Sequence, residues 1–198
     1  MSITFRRDLA ELNGEFIDLA AGGLDLGLAA GVQARIARLD DNGRHALAAM
    51  PFALFGLGFE EESAWTTLLS PCVRDLEPGH IPARAPAERF ALLALSTLRT
   101  CLRMAARSTS AWIGLPPATR QRLVALEIGL LPPVAACAAP RLRARRVLGE
   151  ATWARLVDAV AKRDQRQLVI LAALGRQWSI RRSLGIKSAV AVAHGFRC

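Results

Sequence analysis

The stretch Gln167 to Ala173, QLVILAA, lies inside a longer segment from Pro140 to Lys187 and is the strongest indication of how the chain folds. Coiled as a helix, it is apolar on nearly every side. A helix without a polar face belongs inside a core, surrounded by other helices. Arginine is concentrated at both ends of the same stretch. The pattern therefore predicts a core helix and a cationic surface within one segment.

The composition of the whole chain also favours helices. Of its 198 residues, 52% are hydrophobic and 22% are charged, which is enough apolar material for a sizeable core. Alanine and leucine dominate, tyrosine is absent and β-branched residues are sparse, as expected for helix rather than sheet. We expect an all-α protein, a multi-helix bundle of about seven to nine helices. Helices are expected at 3–20, 24–39, 44–50, 86–107, 115–131, 152–162 and 165–182, with a short one at 60–69.

The two halves of the chain carry opposite charge. Residues 1–100 contain 9 Arg or Lys against 13 Asp or Glu, and residues 101–198 contain 17 against 4. A proline-rich stretch from Pro71 to Pro86 reads as a loop. We therefore divide the chain into an acidic N-terminal helical half, 1–80, and a basic C-terminal helical half, 81–198, which together could form one compact domain. The asymmetry fits either an internal electrostatic contact between the halves or a polyanion site on the second half.

The arginines of the basic half suggest nucleic-acid binding. Residues 140–187 hold 12 Arg or Lys against 3 Asp or Glu, and arginine pairs with two phosphate oxygens at once. The last two helices could form a unit like a helix-turn-helix, although the apolar middle of the last one favours backbone contact over base readout. The candidate phosphate ligands are Arg141, Arg143, Arg145, Arg146, Arg163, Arg166, Arg176, Arg181 and Arg182.

An alternative function is a non-enzymatic protein-interaction or adaptor module of a bacterial secretion or motility system. A narrow apolar stripe follows one face of the first helix and suits packing in its own core or on a partner chain. A second apolar segment, FALFGLGF, runs from Phe52 to Phe59 and is either a buried connector or a docking patch. The candidate interface residues are Phe5, Leu9, Leu12, Phe16, Phe52, Phe55 and Phe59. A third, weaker alternative is a binder of acidic substrates or lipid surfaces that uses the arginines of helix 86–107.

Parts of the chain resemble one another. Arg35 to Met50 can be laid over Ala159 to Leu174, and Arg122 to Cys137 gives a weaker third copy. These matches reflect either duplicated helical units or the alanine- and leucine-rich composition.

The opening Leu9-Ala10-Glu11-Leu12-Asn13, continued by Phe16 to Ala20, resembles the start of the D-type flagellar master transcriptional regulator family. The later residues Leu47-Ala48, Phe52, Leu54-Phe55, Phe59-Glu60-Glu61 and Trp65 are similar to the end of that family, and 146–182 is similar more loosely. The resemblance implies an all-helical fold, self-association, and DNA binding together with a partner regulator.

The sequence contains no motif typical of an enzyme. None of the three histidines belongs to a metal-binding array, and there is no phosphate-binding glycine loop or serine elbow. We therefore predict no enzymatic activity, no cofactor, no metal and no small-molecule substrate. The four widely spaced cysteines and the polar N-terminus favour a cytoplasmic protein without membrane insertion. The expected partners are DNA and either a partner protein or a second copy of the chain.

Overall fold

The fold was analysed in a computed structural model, which describes residues 3–59, 61–69 and 85–184. The described part is an all-α bundle, which confirms the expected fold class. The proline-rich segment 71–84 and the apolar tail 189–196 lie outside the described residues. The helices are α1 (Ile3–Ala21), α2 (Ala30–Ala37), α3 (Asp41–Ala48), α4 (Glu62–Leu68), α5 (Pro86–Ile113), α6 (Pro117–Ala125), α7 (Leu131–Ala138), α8 (Gly149–Ala161) and α9 (Gln165–Ser183). The strands are β1 (Phe55–Gly56) and β2 (Arg143–Ala144).

The helix bounds follow local signals in the sequence, but several differ from expectation. The expected helix 115–131 is shorter, since α6 ends at Ala125, and α7 (Leu131–Ala138) was not expected. α2 begins at Ala30 rather than Leu24, because Gly27 adopts a positive φ of 68° in a turn where its N–H donates to Asp25 Oδ1. α5 continues past 107 to Ile113, where Gly114 ends it in the left-handed conformation. α5 is interrupted at Ala105, whose φ and ψ are not helical.

Asn13 on α1 fixes the course of the chain between α3 and β1. Its side chain is completely buried. Nδ2 donates to the carbonyl oxygens of Ala48 and Phe52 at 3.1 Å, and Oδ1 accepts from the N–H of Leu54 at 2.9 Å. A buried amide that satisfies backbone groups in this way substitutes for regular secondary structure. The irregular segment before β1 is thereby held against α1.

The order of elements occurs twice along the chain. A long helix, two short helices, a two-residue strand and a further helix make up α1, α2, α3, β1 and α4, and the same order recurs in α5, α6, α7, β2 and α8. α2 and α6 begin 87 residues apart, at Ala30 and Pro117. The strands pair antiparallel, with Phe55 opposite Ala144 and Gly56 opposite Arg143. This register is the one that a two-fold axis between the strands requires, because each strand's first residue faces the other's second.

The two units pack in equivalent ways, and each contributes one helix to the other. α1 packs on α2 and α3, and α5 packs on α6 and α7. α4 of the first unit crosses to α6 and α7, while α8 of the second unit crosses to α2 and α3. α1 and α5 contact each other, and one hydrophobic cluster extends through both units. The described parts of the acidic and basic halves therefore share a single core.

The sequence matches correspond to real structural relations. The weaker copy, Arg122 to Cys137, has the spacing of 87 residues from Arg35 to Met50 that the two units follow. The other match, Ala159 to Leu174, relates the helix pair α8–α9 to the pair α2–α3. In both pairs an aspartate caps the second helix: Asp40 accepts from the N–H of Gly43, and Asp164 accepts from that of Gln167.

The expectation that Gln167 to Ala173 is a core helix surrounded by other helices is wrong. Leu168 and Leu171 are buried, but Val169 is 68% exposed and Ile170 is 44% exposed. α9 packs mainly on α5 and α8, so its outer side remains open. An apolar sequence permits a helix to be buried on all sides. The number of helices that pack around it decides how much of it is buried.

Candidate functional site

Four of the nine predicted arginines converge beside the strand pair. Arg141, Arg143, Arg145 and Arg146 line one pocket of about 200 Å³ together with Glu61. β2 contributes Arg143, the preceding 3₁₀ turn (Ala139–Arg141) ends with Arg141, and the following turn begins with Arg146. The opposite wall contains Gly56 and Gly58, which have no side chains to fill the space. The strand pairing thus places four arginines of one short segment, 141–146, beside the first unit.

Arg145 is a structural residue rather than an exposed phosphate ligand. Its side chain is buried, and its guanidinium donates to the carbonyl oxygens of Ala53 at 3.0 Å, Trp112 at 3.3 Å and Ile113 at 3.0 Å. Trp112 and Ile113 are the last residues of α5, whose terminal carbonyls have no partner within the helix. A cation at the negative end of the helix dipole is favourable there. The prediction that Arg145 contacts phosphate directly is therefore corrected.

The other three arginines of the pocket are accessible to different degrees. Arg141 forms an ion pair with Glu61, with Nη1 and Oε2 2.5 Å apart and both side chains partly exposed. Arg143 and Arg146 are exposed and form no ion pair within the described residues. Arg143 Nη1 donates to the carbonyl oxygen of Leu142 at 2.7 Å, which orients its guanidinium.

Arg176 extends the cationic surface to the end of α5. Its guanidinium lies over the ring of Trp112, 5.2 Å from the centroid, and Arg6 from α1 lies 5.9 Å from the same ring. Cations are attracted to the face of an indole. Because Trp112 also accepts from Arg145 through its carbonyl oxygen, three arginines from distant parts of the sequence meet at this one residue.

The remaining predicted arginines lie along α8 and α9. Arg163, in the turn between the helices, has a positive φ of 54° and pairs with Asp40, Nη2 to Oδ2 at 3.4 Å. Arg166 and Arg181 are exposed on α9 and form no ion pair within the described residues. Arg182 belongs to α9, but its side chain lies outside the described part. A further ion pair, Arg35 with Asp158, joins α2 to α8. Each of the helix pairs α2–α3 and α8–α9 therefore contributes one arginine and one aspartate to the ion pairs between them.

The seven predicted interface residues do not form an exposed surface. Their side chains are all buried in the chain's own core, from Phe16 at 0% to Phe5 at 7% exposed. Phe16 is close to the rings of Phe55 and Phe90, and Phe5 packs edge-on against Trp112. The structure corrects the docking interpretation of Phe5, Leu9, Leu12, Phe16, Phe52, Phe55 and Phe59, because α1 and the segment around β1 are covered by other helices of the same chain.

Three residues of the cationic region were not singled out by the sequence. The sequence assigns no role in this region to Glu61, Trp112 or Arg6. Their roles depend on contacts between residues far apart in the sequence, such as Arg141 with Glu61 and Arg6 with Trp112. No local spacing in the sequence could have revealed these pairs.

The described residues show no group of three or more side chains arranged to hold a metal ion. Cys101 is buried, and its thiol lies 3.5 Å from Asp8 Oδ2. Burial, followed by the hydrogen bond and the charge of Asp8, raises the pKa of Cys101 from 9.0 to about 11, which disfavours the reactive thiolate. Taken singly, none of the described helices has both the length and the apolar character to cross a bilayer; α6 and the segment Ile128–Arg141 satisfy those criteria jointly, with a bend of 110° between them.

Comparison with known protein families, with curated proteins and with solved structures gives no match to this chain.

Proposed function

We propose that this protein is a helical DNA-binding or transcription-regulatory protein that contacts phosphates through arginines of its C-terminal half. The observation that carries the proposal is the state of those arginines in the fold. Five of the nine candidates have exposed side chains and no ion pair within the described residues: Arg143, Arg146, Arg166, Arg176 and Arg181. Guanidinium groups that are not already paired with carboxylates remain available for phosphate oxygens.

The charge of α9 supports the same proposal. The helix contains four arginines and no acidic residue. Arg166, Arg176 and Arg181 all face solvent, and Gln177 is exposed among them. A helix that follows a short turn and presents basic residues outward resembles the second helix of a helix-turn-helix in its exposure. Phosphate contact is the main interaction proposed, because the remaining outward residues of this helix include Val169 and Ile170.

The test is a salt series with duplex DNA. A fluorescent duplex of about 20 base pairs is titrated with the full chain, and the logarithm of the binding constant is plotted against the logarithm of the salt concentration. Release of counterions predicts a slope of about −0.9 per phosphate neutralised, so about −3 to −5 for three to five arginine contacts. Replacement of Arg166, Arg176 or Arg181 by Ala should each reduce the slope by about 1. Arg38→Ala, which removes an exposed arginine of the acidic half, is the matched control. A slope near zero, or equal losses in the control, contradicts the proposal.

A protein-interaction function is the second candidate, and α9 favours it too. Val169, Ile170, Ile180 and Leu184 are four of the seven exposed large apolar side chains in the described part. They lie beside the exposed arginines, so the complementary partner is an amphipathic helix with acidic flanks. A second copy of α9 would bring like charges together. The double variant Val169→Ser/Ile180→Ser should release a co-purifying partner while leaving the salt dependence of DNA binding in place, because it removes apolar area without changing the charge. The converse result, DNA binding lost and the partner retained, excludes the interaction surface.

A further inference from the structure

We infer that the pocket beside the β1–β2 pair is a binding site for one phosphate group per chain. The inference shares Arg143 and Arg146 with the proposed DNA contacts, but it does not require that the phosphate belongs to DNA. It rests on the size of the pocket, its charge, the fixed positions of three of its arginines and the difference between the two repeated units.

The size and charge of the pocket suit a small anion. Its volume of about 200 Å³ lies below the roughly 300–1,000 Å³ of sites for drug-sized ligands. Four arginines line it against the single carboxylate of Glu61, although the guanidinium of Arg145 is turned to carbonyl oxygens at the end of α5. A partly enclosed site with an excess of one charge raises the local concentration of counter-ions. A phosphate group, with several oxygens that accept from planar guanidinium forks, is the anion that such a site recognises best.

Three of the four arginines of this pocket are held in place by contacts within the protein. Arg145 is fixed by carbonyl oxygens at the end of α5, and it lines the pocket while its side chain remains buried. Arg141 is held by Glu61, and Arg143 by the carbonyl oxygen of Leu142. Binding then costs less side-chain freedom than it would with mobile cations. Gly27 leaves room for the Arg143 side chain, because a Cβ at position 27 would lie 3.3 Å from Arg143 Cδ.

The repeat explains why the β1–β2 pair forms one such site among the described residues. Phe55 and Arg143 are the first residues of the two paired strands. If Phe55 is aligned with Arg143, the arginines at 141, 143, 145 and 146 of the second unit correspond to Ala53, Phe55, Leu57 and Gly58 of the first. The first unit thus provides the wall without cations, which includes the carboxylate of Glu61, and the second unit provides the arginines. The strand pair does not create a second, symmetry-related anion site, so the expected stoichiometry is one phosphate group per chain.

Calorimetric titration with sodium pyrophosphate, against sodium chloride at equal ionic strength, tests the inference. We expect saturable binding with a stoichiometry of one. Arg143→Ala and Arg146→Ala should each weaken it about tenfold or more, since each removes a charge-assisted contact. Glu61→Gln should tighten it severalfold, because it removes the opposing negative charge while leaving a hydrogen-bond acceptor for Arg141. Arg122→Ala and Glu11→Gln, exposed residues on α6 and α1, are the matched controls and should leave it unchanged.

Three results overturn the site: heat that follows ionic strength alone, binding that survives the loss of both Arg143 and Arg146, and an unchanged affinity in Glu61→Gln. Competition identifies the source of the phosphate group. If pyrophosphate displaces duplex DNA at the concentration that half-saturates its own site, the natural ligand is a phosphate of the DNA backbone. If the protein binds pyrophosphate and DNA simultaneously, the natural ligand is a free anion. The two proposals fail separately. Pyrophosphate binding without DNA binding leaves the site standing and removes the DNA function, and DNA binding without a pyrophosphate site does the reverse.

Discussion

The ring of Phe52 lies directly against the backbone of Gly175. A Cβ placed on Gly175 would be 2.2 Å from Cε1 of that ring, much closer than any real contact. Phe52 belongs to the segment that Asn13 holds in front of β1, and Gly175 lies near the middle of α9. The glycine therefore allows the last helix to approach the first repeated unit closely, and the exposed arginines of α9 depend on this contact for their position.

Gly175→Ala should destabilise the protein by about 1–3 kcal/mol, because the added methyl group overpacks a filled region. Gly31→Ala is the matched control: it is also a helical glycine, but a Cβ there meets nothing within 4 Å. The control should be stabilising by about 0.5–1 kcal/mol, the usual helix preference for Ala. Urea unfolding of both variants provides the comparison. In a Phe52→Leu background the cost of Gly175→Ala should fall, and equal costs in both backgrounds would show that the two residues are not coupled.

Arg145→Met should destabilise the fold by about 3 kcal/mol, because it leaves the carbonyl oxygens of Ala53, Trp112 and Ile113 buried without their donor. Arg146→Ala, the adjacent exposed arginine, should change stability by less than about 0.5 kcal/mol. Urea midpoints measure both effects. Similar midpoints for the two variants would mean that the buried guanidinium is not a structural element.

The stability of the protein should decrease between about pH 9 and pH 11 in part through Cys101. Its pKa is raised from 9.0 to about 11 in the folded state, first by burial and then by Asp8. A raised folded pKa stabilises the fold fully below the unfolded pKa, and this contribution is lost as the pH rises through the folded pKa. Cys101→Ala should remove this component of the pH dependence. Urea midpoints measured across the alkaline range test it, and identical slopes in the two proteins would argue against burial of an un-ionised thiol.

Cutting the chain between the two repeated units should not separate them. A protease site inserted within 71–84 interrupts the covalent connection, but α4 still packs on α6 and α7, and α8 still packs on α2 and α3. We expect the cleaved protein to elute at the same volume as the intact chain in size-exclusion chromatography and to separate only in denaturant. A control with the site after Ser183 should lose only the tail. Separation of the halves under native conditions would show that the exchanged helices contribute little.

Much of the helical content follows from local chemistry. The stripe on α1, the proline at the start of α5 and the aspartate caps predict helix positions without knowledge of neighbours, because capping and amphipathic spacing act within a few residues. The irregular segment around Phe52 is also recognisable from its glycines, although the sequence does not show that Asn13 fixes it.

The candidate site was predictable only as a list of arginines. Their crowding between Pro140 and Arg146 is visible in the sequence, but the sequence did not distinguish buried Arg145 from exposed Arg146, its direct neighbour. Arg145 still has an extended backbone, whereas a 3₁₀ turn begins at Arg146. The Arg145 side chain reaches the end of α5, and that of Arg146 remains in solvent.

By itself the sequence determined that this is a helical protein with a large apolar core and a strongly basic second half, because composition, periodicity and caps are properties of the chain alone. Only the tertiary structure decided which arginines are free and where the apolar helix lies. Trp153 of α8 packs near Phe16 and Trp65 of α4 near Phe59, and α9 packs mainly on α5 and α8, so one of its sides stays open. Pairings such as Arg141 with Glu61 join residues 80 positions apart, and contacts over such distances are set by the packing of helices rather than by any local pattern.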